Sequence, residues 1–411
     1  MTVFQIIAIL ISLTAMFSYL NYRYFKLPAT IGVMLIALLV SVGLIGAGHF
    51  APWIRDGTVL LLKQIDFDKT LMQGMLCFLL FAGALHIHLD ELAEHRGVIA
   101  TLAIMGVAIS MFVFGTLIYF ALGWCGFGLS YAWCVLFGAL ISPTDPVAVI
   151  GILREAKVPR RLELQIAGES LFNDGIGVVA FIIMREIAVT GQHASVTHIG
   201  VLFLQEAVGG AGFGFAIGWI VYLLLKSVDN YRVEMMLTLA LVMGGYALAS
   251  AIHVSGPIAI VVAGLFIGNR GRRLAMSDLT RKTLDAFWDL IDEILNALLF
   301  VLIGLEILVL AFTRELFLAG LLAVPAILLA RWVSVILPVT AIGRWRKFTP
   351  GTVAIMTWGG LRGGISVALA LSLPAGRERE VVLGVTYIVV VFSILVQGLT
   401  LKRAVARLAK G

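Results

Sequence analysis

Thirteen apolar runs, separated by polar or turn-forming segments, dominate the chain; they fall near 2–21, 28–48, 70–89, 97–121, 131–152, 165–187, 199–225, 233–252, 256–269, 287–311, 316–341, 351–374 and 380–401. About 20 apolar residues in a helix cross about 30 Å of hydrocarbon, and a helix satisfies its own backbone groups where no water can. The pattern therefore predicts an all-α polytopic membrane protein of about 13 transmembrane helices. The run at 256–269 is short for a crossing unless it tilts or starts in the preceding loop. A composition of 61% hydrophobic and 13% charged residues lies far outside the soluble range of roughly 45–50% and 25%.

The first run, Val3 to Leu20, has neither a basic leading segment nor a small-residue cleavage site and is expected to be retained as a span. Cys77, Cys125 and Cys134 have no paired or ligating spacing and read as packing residues. The formal charge of +6 comes from short clusters at the ends of apolar runs, which is a topology signal and not a nucleic-acid surface. One set of alternate loops holds Arg23, Lys26, Arg96, Arg154, Lys157, Arg160, Arg161, Lys226, Arg232, Arg270, Arg272, Arg273, Arg281, Lys282, Arg344, Arg346, Lys347 and the tail Lys402, Arg403, Arg407 and Lys410. The other holds only Arg55, Lys63, Lys69, Arg185, Arg314, Arg377 and Arg379. The positive-inside rule then places the C-terminus in the cytoplasm and, with an odd span count, the N-terminus outside.

Of the thirty basic residues, Arg331 and Arg362 alone fall mid-span. Buried charge in a bilayer costs about 2.5–3.5 kcal/mol even on the lenient insertion scale, so each marks a functional site with a partner. Candidate partners sit in two motifs. In the sixth span, Gly168-Glu169-Ser170-Leu171-Phe172-Asn173-Asp174-Gly175 puts Glu169, Ser170, Asn173 and Asp174 within about 140° of helical arc, near the bilayer centre. In the fifth, Ser142-Pro143-Thr144-Asp145-Pro146 contains two prolines that a continuous helix cannot accommodate. The freed carbonyls are potential cation ligands, with Asp145 countering a positive half-helix end. A third motif, Trp358-Gly359-Gly360-Leu361-Arg362-Gly363-Gly364-Ile365-Ser366, marks an interruption in the twelfth span. Spans five and twelve are an odd number of crossings apart and run in opposite directions, as two crossed, interrupted helices of an inverted-repeat transporter do.

The midplane charges sum to minus one: Asp145, Glu169 and Asp174 against Arg331 and Arg362. One acid is left to be compensated by either a proton or a monovalent cation, and competition there is sufficient for exchange. Asp174 is expected to be the exchanging group. Glu169, Ser170 and Thr144 are expected as further oxygen ligands of that monovalent cation, and Asn173 and Asp145 as site residues beside them. Expected pairings are Glu169 with Arg331 and Asp145 with Arg362; swapping the arginines leaves the sum unchanged. Glu206, Asp289, Asp292, Glu293, Asn296 and Glu306 lie nearer span ends or alone and read as interfacial groups or helix contacts. His86, His88 and His95, with Asp90, Glu91 and Glu94, read as a solvated loop, a pH-sensing cluster being the alternative. His253 with Ser255 and Gly256 has no third orienting group and no G-x-S-x-G pattern, so it does not read as a hydrolase pair.

The motifs S-P-T-D-P-V-A-V at 142–149, G-E-S-L-F-N-D-G at 168–175 and G-G-L-R-G-G-I-S at 359–366, with F-L-L-F-A-G-A-L at 78–85, resemble the sodium/proton antiporters of the NhaP and sodium/hydrogen exchanger type. The resemblance runs from about residue 5 to 400. In that family the Asn-Asp pair, here Asn173-Asp174, goes with electroneutral one-for-one exchange, the stoichiometry the charge sum gives independently. The resemblance implies a Na⁺ (or Li⁺)/H⁺ antiporter without a cofactor, embedded in membrane lipid as a homodimer. It also implies a dimerisation or scaffold bundle of about 1–89 and 199–311 and a mobile core of about 97–187 and 316–401 that moves like an elevator. No soluble regulatory domain is expected, which suits a prokaryotic inner-membrane protein. A K⁺/H⁺ or broad monovalent-cation antiporter is the alternative within transport. A cation channel would want a pore ring rather than buried arginines. An intramembrane hydrolase would need a base near Ser170, and no His lies in that span or the two broken ones.

Overall fold

The computed structural model describes residues 3–47, 75–87, 89–145, 149–150, 153, 158–190, 196–310, 313–346 and 348–408; for 90–96 and 196–199 it describes the backbone alone. Residues 146–148, His88, the 49–69 loop and the loop cations Arg55, Lys63, Lys69, Arg154, Lys157, Lys347 and Lys410 lie outside the described residues. So do the side chains of Asp90, Glu91, Glu94, His95 and Arg96.

Each of the thirteen apolar runs contains helix among its described residues. In chain order these are α1 (Val3–Leu20), α2 (Ala29–Ala47), α3 (Leu76–Leu85), α4 (Leu89–Trp124), α5 (Tyr131–Ile141) and α6 (Arg160–Thr190). Next come α7 (Val196–Phe203, continuing into Gly210–Lys226), α8 (Tyr231–Ala251), α9 (Gly256–Phe266), α10 (Asp278–Glu306) and α11 (Arg314–Gly343). The twelfth crossing is two pieces, α12a (Thr352–Trp358) and α12b (Gly364–Leu371), and α13 covers Arg377–Phe392 and Leu399–Leu408.

Helix ends fall where the sequence supplies caps for backbone donors that a helix leaves unpaired. Asn230 Oδ1 accepts from Arg232 N at 3.1 Å, Ser255 Oγ from Ile258 N, Ser277 Oγ from Thr280 N and Thr313 Oγ1 from Leu316 N at 3.2 Å. The Ser255 cap, with Pro257 in the first turn, starts α9 no earlier than Gly256. Its extra length comes from the other end, where a π-helical turn over Ile267–Gly271 continues the helix. A similar turn at Asn21–Phe25 closes α1, and those at Leu204–Gly209 and Ser393–Gly398 insert a residue without ending the helix, a feature apolar periodicity does not register.

Packing sorts the helices by neighbour. α4 lies along α11 and also meets α5 and α6, while α11 and α12b lie on α13. α9 packs on α7, α3 and α8, and α2 runs along α10. Contacts between these sets are made by α6 with α3 and α9, by α10 with α12b and by α2 with the π-helical turn of α13. The polar centre of the molecule lies at these contacts.

Candidate functional site

Asp174 lies 14 residues into the 31-residue α6, about 21 Å along its axis at 1.5 Å per residue. Its neighbours on that face are held in one network. Glu169 receives both arms of the Arg331 guanidinium, Nη1 to Oε1 at 2.7 Å and Nη2 to Oε2 at 2.8 Å. Arg331 Nε also donates to the Met356 carbonyl at 3.3 Å. A Cβ on Gly360 would stand 2.6 Å from that Nε, so only glycine lets the chain pass the arginine. Asn173 Nδ2 donates to Glu169 Oε1 at 3.0 Å and to Thr144 Oγ1 at 2.8 Å, and Asn173 Oδ1 accepts from Thr144 N at 3.3 Å. Thr144 Oγ1 and Ser170 Oγ are 2.9 Å apart. Glu169, Ser170, Asn173 and Thr144 are all buried.

The two interruptions meet each other. α5 ends at Ile141, before Pro143, and the carbonyls of Ser142 and Pro143 both accept from Arg362 Nη1, the second at 2.9 Å. Asp145 N donates to the Leu361 carbonyl at 2.8 Å. The Asp145 carboxylate lies against Gly363, where a Cβ would be 2.6 Å from Oδ2. Thus Arg362 faces the negative end of α5, and Asp145 stands at the positive end of α12b, which begins at Gly364. Each broken helix carries the charge that counters the other. The backbone of the second break is satisfied from α13: Arg362 N donates to Ser393 Oγ at 2.9 Å, Ser393 Oγ to Gln397 Oε1 at 2.7 Å and Gln397 Nε2 to the Trp358 carbonyl at 2.9 Å.

A cavity of about 590 Å³ leads to this crossing from the end of the molecule that carries Arg160 and Arg272, and Thr144, Asp145 and Asp174 line its inner part. Asp174 is 5% exposed and lines the cavity, and among the described residues its Oδ1 has no hydrogen-bond partner. It is therefore a buried, unpaired carboxylate at the inner end of a cavity, next to a carboxylate already compensated by Arg331.

All eight candidate residues converge here. Glu169 pairs with Arg331; Arg362, expected opposite Asp145, gives its Nη1 to backbone carbonyls of the first break. Asp289, Asp292 and Asn296, read from sequence as interfacial or helix-contact groups, line the same cavity from α10, together with Asp285. Their spacing, i, i+4, i+7 and i+11, places them on one helix face; that periodicity was available in the sequence. His86 also lines the cavity mouth, with Nε2 3.2 Å from Asp289 Oδ1. Ser393 and Gln397 had only their i, i+4 spacing in an apolar run as a signal.

The family model described as "Sodium/hydrogen exchanger, transmembrane" matches residues 9–407. The Na⁺/H⁺ antiporter NhaP of Pseudomonas aeruginosa is 48% identical over 99% of this chain and 97% of its own length. The Na⁺/H⁺ antiporter NhaH of Halobacillus dabanensis is 35% identical over 90% of this chain and 91% of its own. Among solved structures, the sodium proton antiporter MjNhaP1 of Methanocaldococcus jannaschii superposes with a TM-score of 0.76 at 19% identity, with 100% of both chains covered. That likeness shows the fold, a thirteen-span inverted-repeat membrane architecture. With the matched family model covering nearly the whole chain and two relatives above 30% identity along most of their length, this chain belongs to the sodium/hydrogen exchanger family, in its NhaP-type branch.

Proposed function

We propose that this chain exchanges one Na⁺ or Li⁺ for one H⁺ across the membrane, electroneutrally, by competition at Asp174. The observation that carries the reading is the unpartnered, buried Asp174 Oδ1 at the end of the cavity. Glu169 is neutralised by Arg331, while Asp145 and Arg362 offset each other across the crossed breaks. What remains is one negative charge, and in low dielectric it calls for one positive partner. A proton and a monovalent cation satisfy it equally well, but together they overshoot by one charge. The Na⁺ shell draws on Asp174 with oxygen from Thr144 and Ser170; Asn173, itself held by Glu169, fixes the Thr144 hydroxyl, which meets that of Ser170. The curated relatives are named Na⁺/H⁺ antiporters, which favours Na⁺ as the cation.

Access alternates by movement of a core of about 97–187 and 316–401 against a scaffold of about 1–89 and 199–311, and the scaffold mediates a homodimer in membrane lipid. The helices bearing Asp174 and both breaks lie in the first set, and α10, which faces them, lies in the second. The basic loops at the cavity mouth favour a cytoplasmic mouth, and with it an inward-facing conformation with the C-terminus inside and the N-terminus outside.

The test is cation-driven dissipation of ΔpH in proteoliposomes, scanning Na⁺, Li⁺ and K⁺ with and without a potassium/valinomycin clamp. The reading expects Na⁺ or Li⁺ to collapse the gradient, no effect of the clamp, and no activity in Asp174→Asn. A response to K⁺ alone would change the substrate, and full activity in Asp174→Asn would overturn the site.

A further inference from the structure

The wall of the cavity opposite α6 is α10. Asp285, Asp289, Asp292 and Asn296 fall within about 60° of helical arc and span about 16 Å of axial rise. One helix face therefore carries three carboxylates and an amide from the cavity mouth toward the depth of Asp174. The two carboxylates nearest the mouth already have polar neighbours. Asp285 Oδ2 accepts from Arg272 Nη2 at 2.6 Å, and Asp289 Oδ1 lies 3.2 Å from His86 Nε2. Among the described residues no ion pair reaches Asp292.

One turn deeper, Asn296 is 4% exposed, its amide lies beside the Asp292 carboxylate, and among the described residues its Nδ2 completes no hydrogen bond of good geometry. Across the void Ser366, on α12b, is 1% exposed, and its Oγ is likewise unpartnered. Leu299 packs directly on Gly364, so α10 and α12b touch beside the cavity that both residues line. Buried polar side chains are nearly always satisfied by protein, water or a ligand. Here two such groups and a carboxylate without a counter-ion face one cavity, a step short of the exchanging acid. Because amide oxygen and nitrogen exchange places by a rotation of the side-chain end, Asn296 offers either atom to what lies in the cavity. A monovalent cation entering from water must replace its hydration in stages, and this set offers oxygens for the intermediate stage.

We propose that Asp292, Asn296 and Ser366 form a staging site that holds the partly hydrated monovalent cation between the vestibule and Asp174. The proposal rests on the antiport reading above. It assigns α10 a part in cation capture: the staging groups of α10 stay with the scaffold, while Asp174 and Ser366 belong to the moving core, so the cation leaves the α10 ligands when the core moves. The site therefore sets how readily Asp174 is loaded and leaves the exchange step to Asp174 itself.

The test uses the full-length protein in proteoliposomes and reads apparent KM and maximal rate for Na⁺ and for Li⁺ at fixed ionic strength. Asp292→Asn is expected to raise apparent KM about tenfold, with the maximal rate within about twofold, the pattern expected when an interaction outside the rate-limiting step is lost. Asn296→Ala and Ser366→Ala remove no charge and are expected to raise it about threefold, which a purely long-range field would not do. Asp292→Glu should recover most of the loss, separating the ligand role from a folding defect. In purified Asp174→Asn protein, Na⁺-dependent thermal stabilisation should persist weakly and vanish on adding Asp292→Asn. KM within twofold of the parent in all three variants, or a fall in maximal rate alone, overturns the staging site. If Asp174→Asn itself transports, the exchange site falls; if it is inactive while Asp292→Asn keeps the parental KM, only the staging site falls.

Discussion

The bidentate Glu169–Arg331 pair sets up a double-mutant cycle with a distinctive sign pattern. Both groups are buried and both arms of the guanidinium are used, at 2.7 and 2.8 Å. Removing one partner of such a pair leaves an uncompensated charge and costs about 3–5 kcal/mol, whereas removing both charges is often close to neutral. Arg331→Met is therefore expected to destabilise by that amount. With an unfolding entropy of about 2.1 cal/mol/K per residue over 411 residues, this is a fall of about 4–6 °C in unfolding temperature on the soluble-protein scale. Glu169→Gln/Arg331→Met should recover most of the fall, because the glutamine carbonyl can still accept from Asn173 Nδ2, the bond seen at 3.0 Å. The double variant should also retain cation-driven ΔpH dissipation, since it leaves the sum of charges unchanged. The assay is unfolding of the detergent-solubilised protein at a fixed scan rate, paired with transport in proteoliposomes. A double variant no more stable than Arg331→Met would refute the reasoning, and would mean that Arg331 matters for its bond to the Met356 carbonyl and its packing on Gly360 rather than for its charge.

Two further outcomes follow from the same geometry. Gly363→Ala brings a methyl group to 2.6 Å from Asp145 Oδ2, and must displace the carboxylate from the end of α12b; it is expected to lower the maximal rate at least tenfold with little change in membrane insertion, read by transport per inserted molecule. If proton and cation compete for the Asp174 carboxylate, as proposed, lowering the pH is expected to raise the apparent KM for Na⁺, approaching tenfold per pH unit where the acid is mostly protonated, without a matching fall in maximal rate; a KM independent of pH would mean that the two ions bind at different groups.

The sequence made the outline of this fold readable because a bilayer leaves so few solutions: span length, broken spans and mid-span arginines each report a hard physical constraint. The site was readable for the same reason, since Glu169, Asn173 and Asp174 on one face of an apolar helix demand partners. Contacts between distant segments were not readable in the same way. Nothing in the local pattern says that Arg362 finds the carbonyls of Ser142 and Pro143, or that Ser393 and Gln397 close the second break. The face of Asp285, Asp289, Asp292 and Asn296 was periodic in the sequence, yet polar residues on the leading half of a span have an equally good explanation in interfacial water. Only the position of α10 across the cavity separates the two. The π-helical turns likewise leave hydropathy unchanged and so leave no trace in it.

The arrangement at Asp174 also explains why exchange need not leak. Thr144 and Ser170 spend their hydroxyls on each other, and Asn173 is bound at both ends of its amide. These groups are held before any ion arrives, and the Asp174 carboxylate has no hydrogen bond to them. In the proposed exchange a cation and a proton use this same carboxylate, and binding of one removes the charge that would hold the other. An empty site moving across the hydrocarbon would carry an uncompensated carboxylate, and a doubly loaded one an uncompensated positive charge. Either is disfavoured by several kcal/mol after relaxation, which at about 1.4 kcal/mol per factor of ten makes such crossings rarer than the neutral ones by a few powers of ten. Coupling in this scheme needs no gate that senses which ion is bound: the charge balance of the buried network makes the two singly occupied forms the ones able to cross.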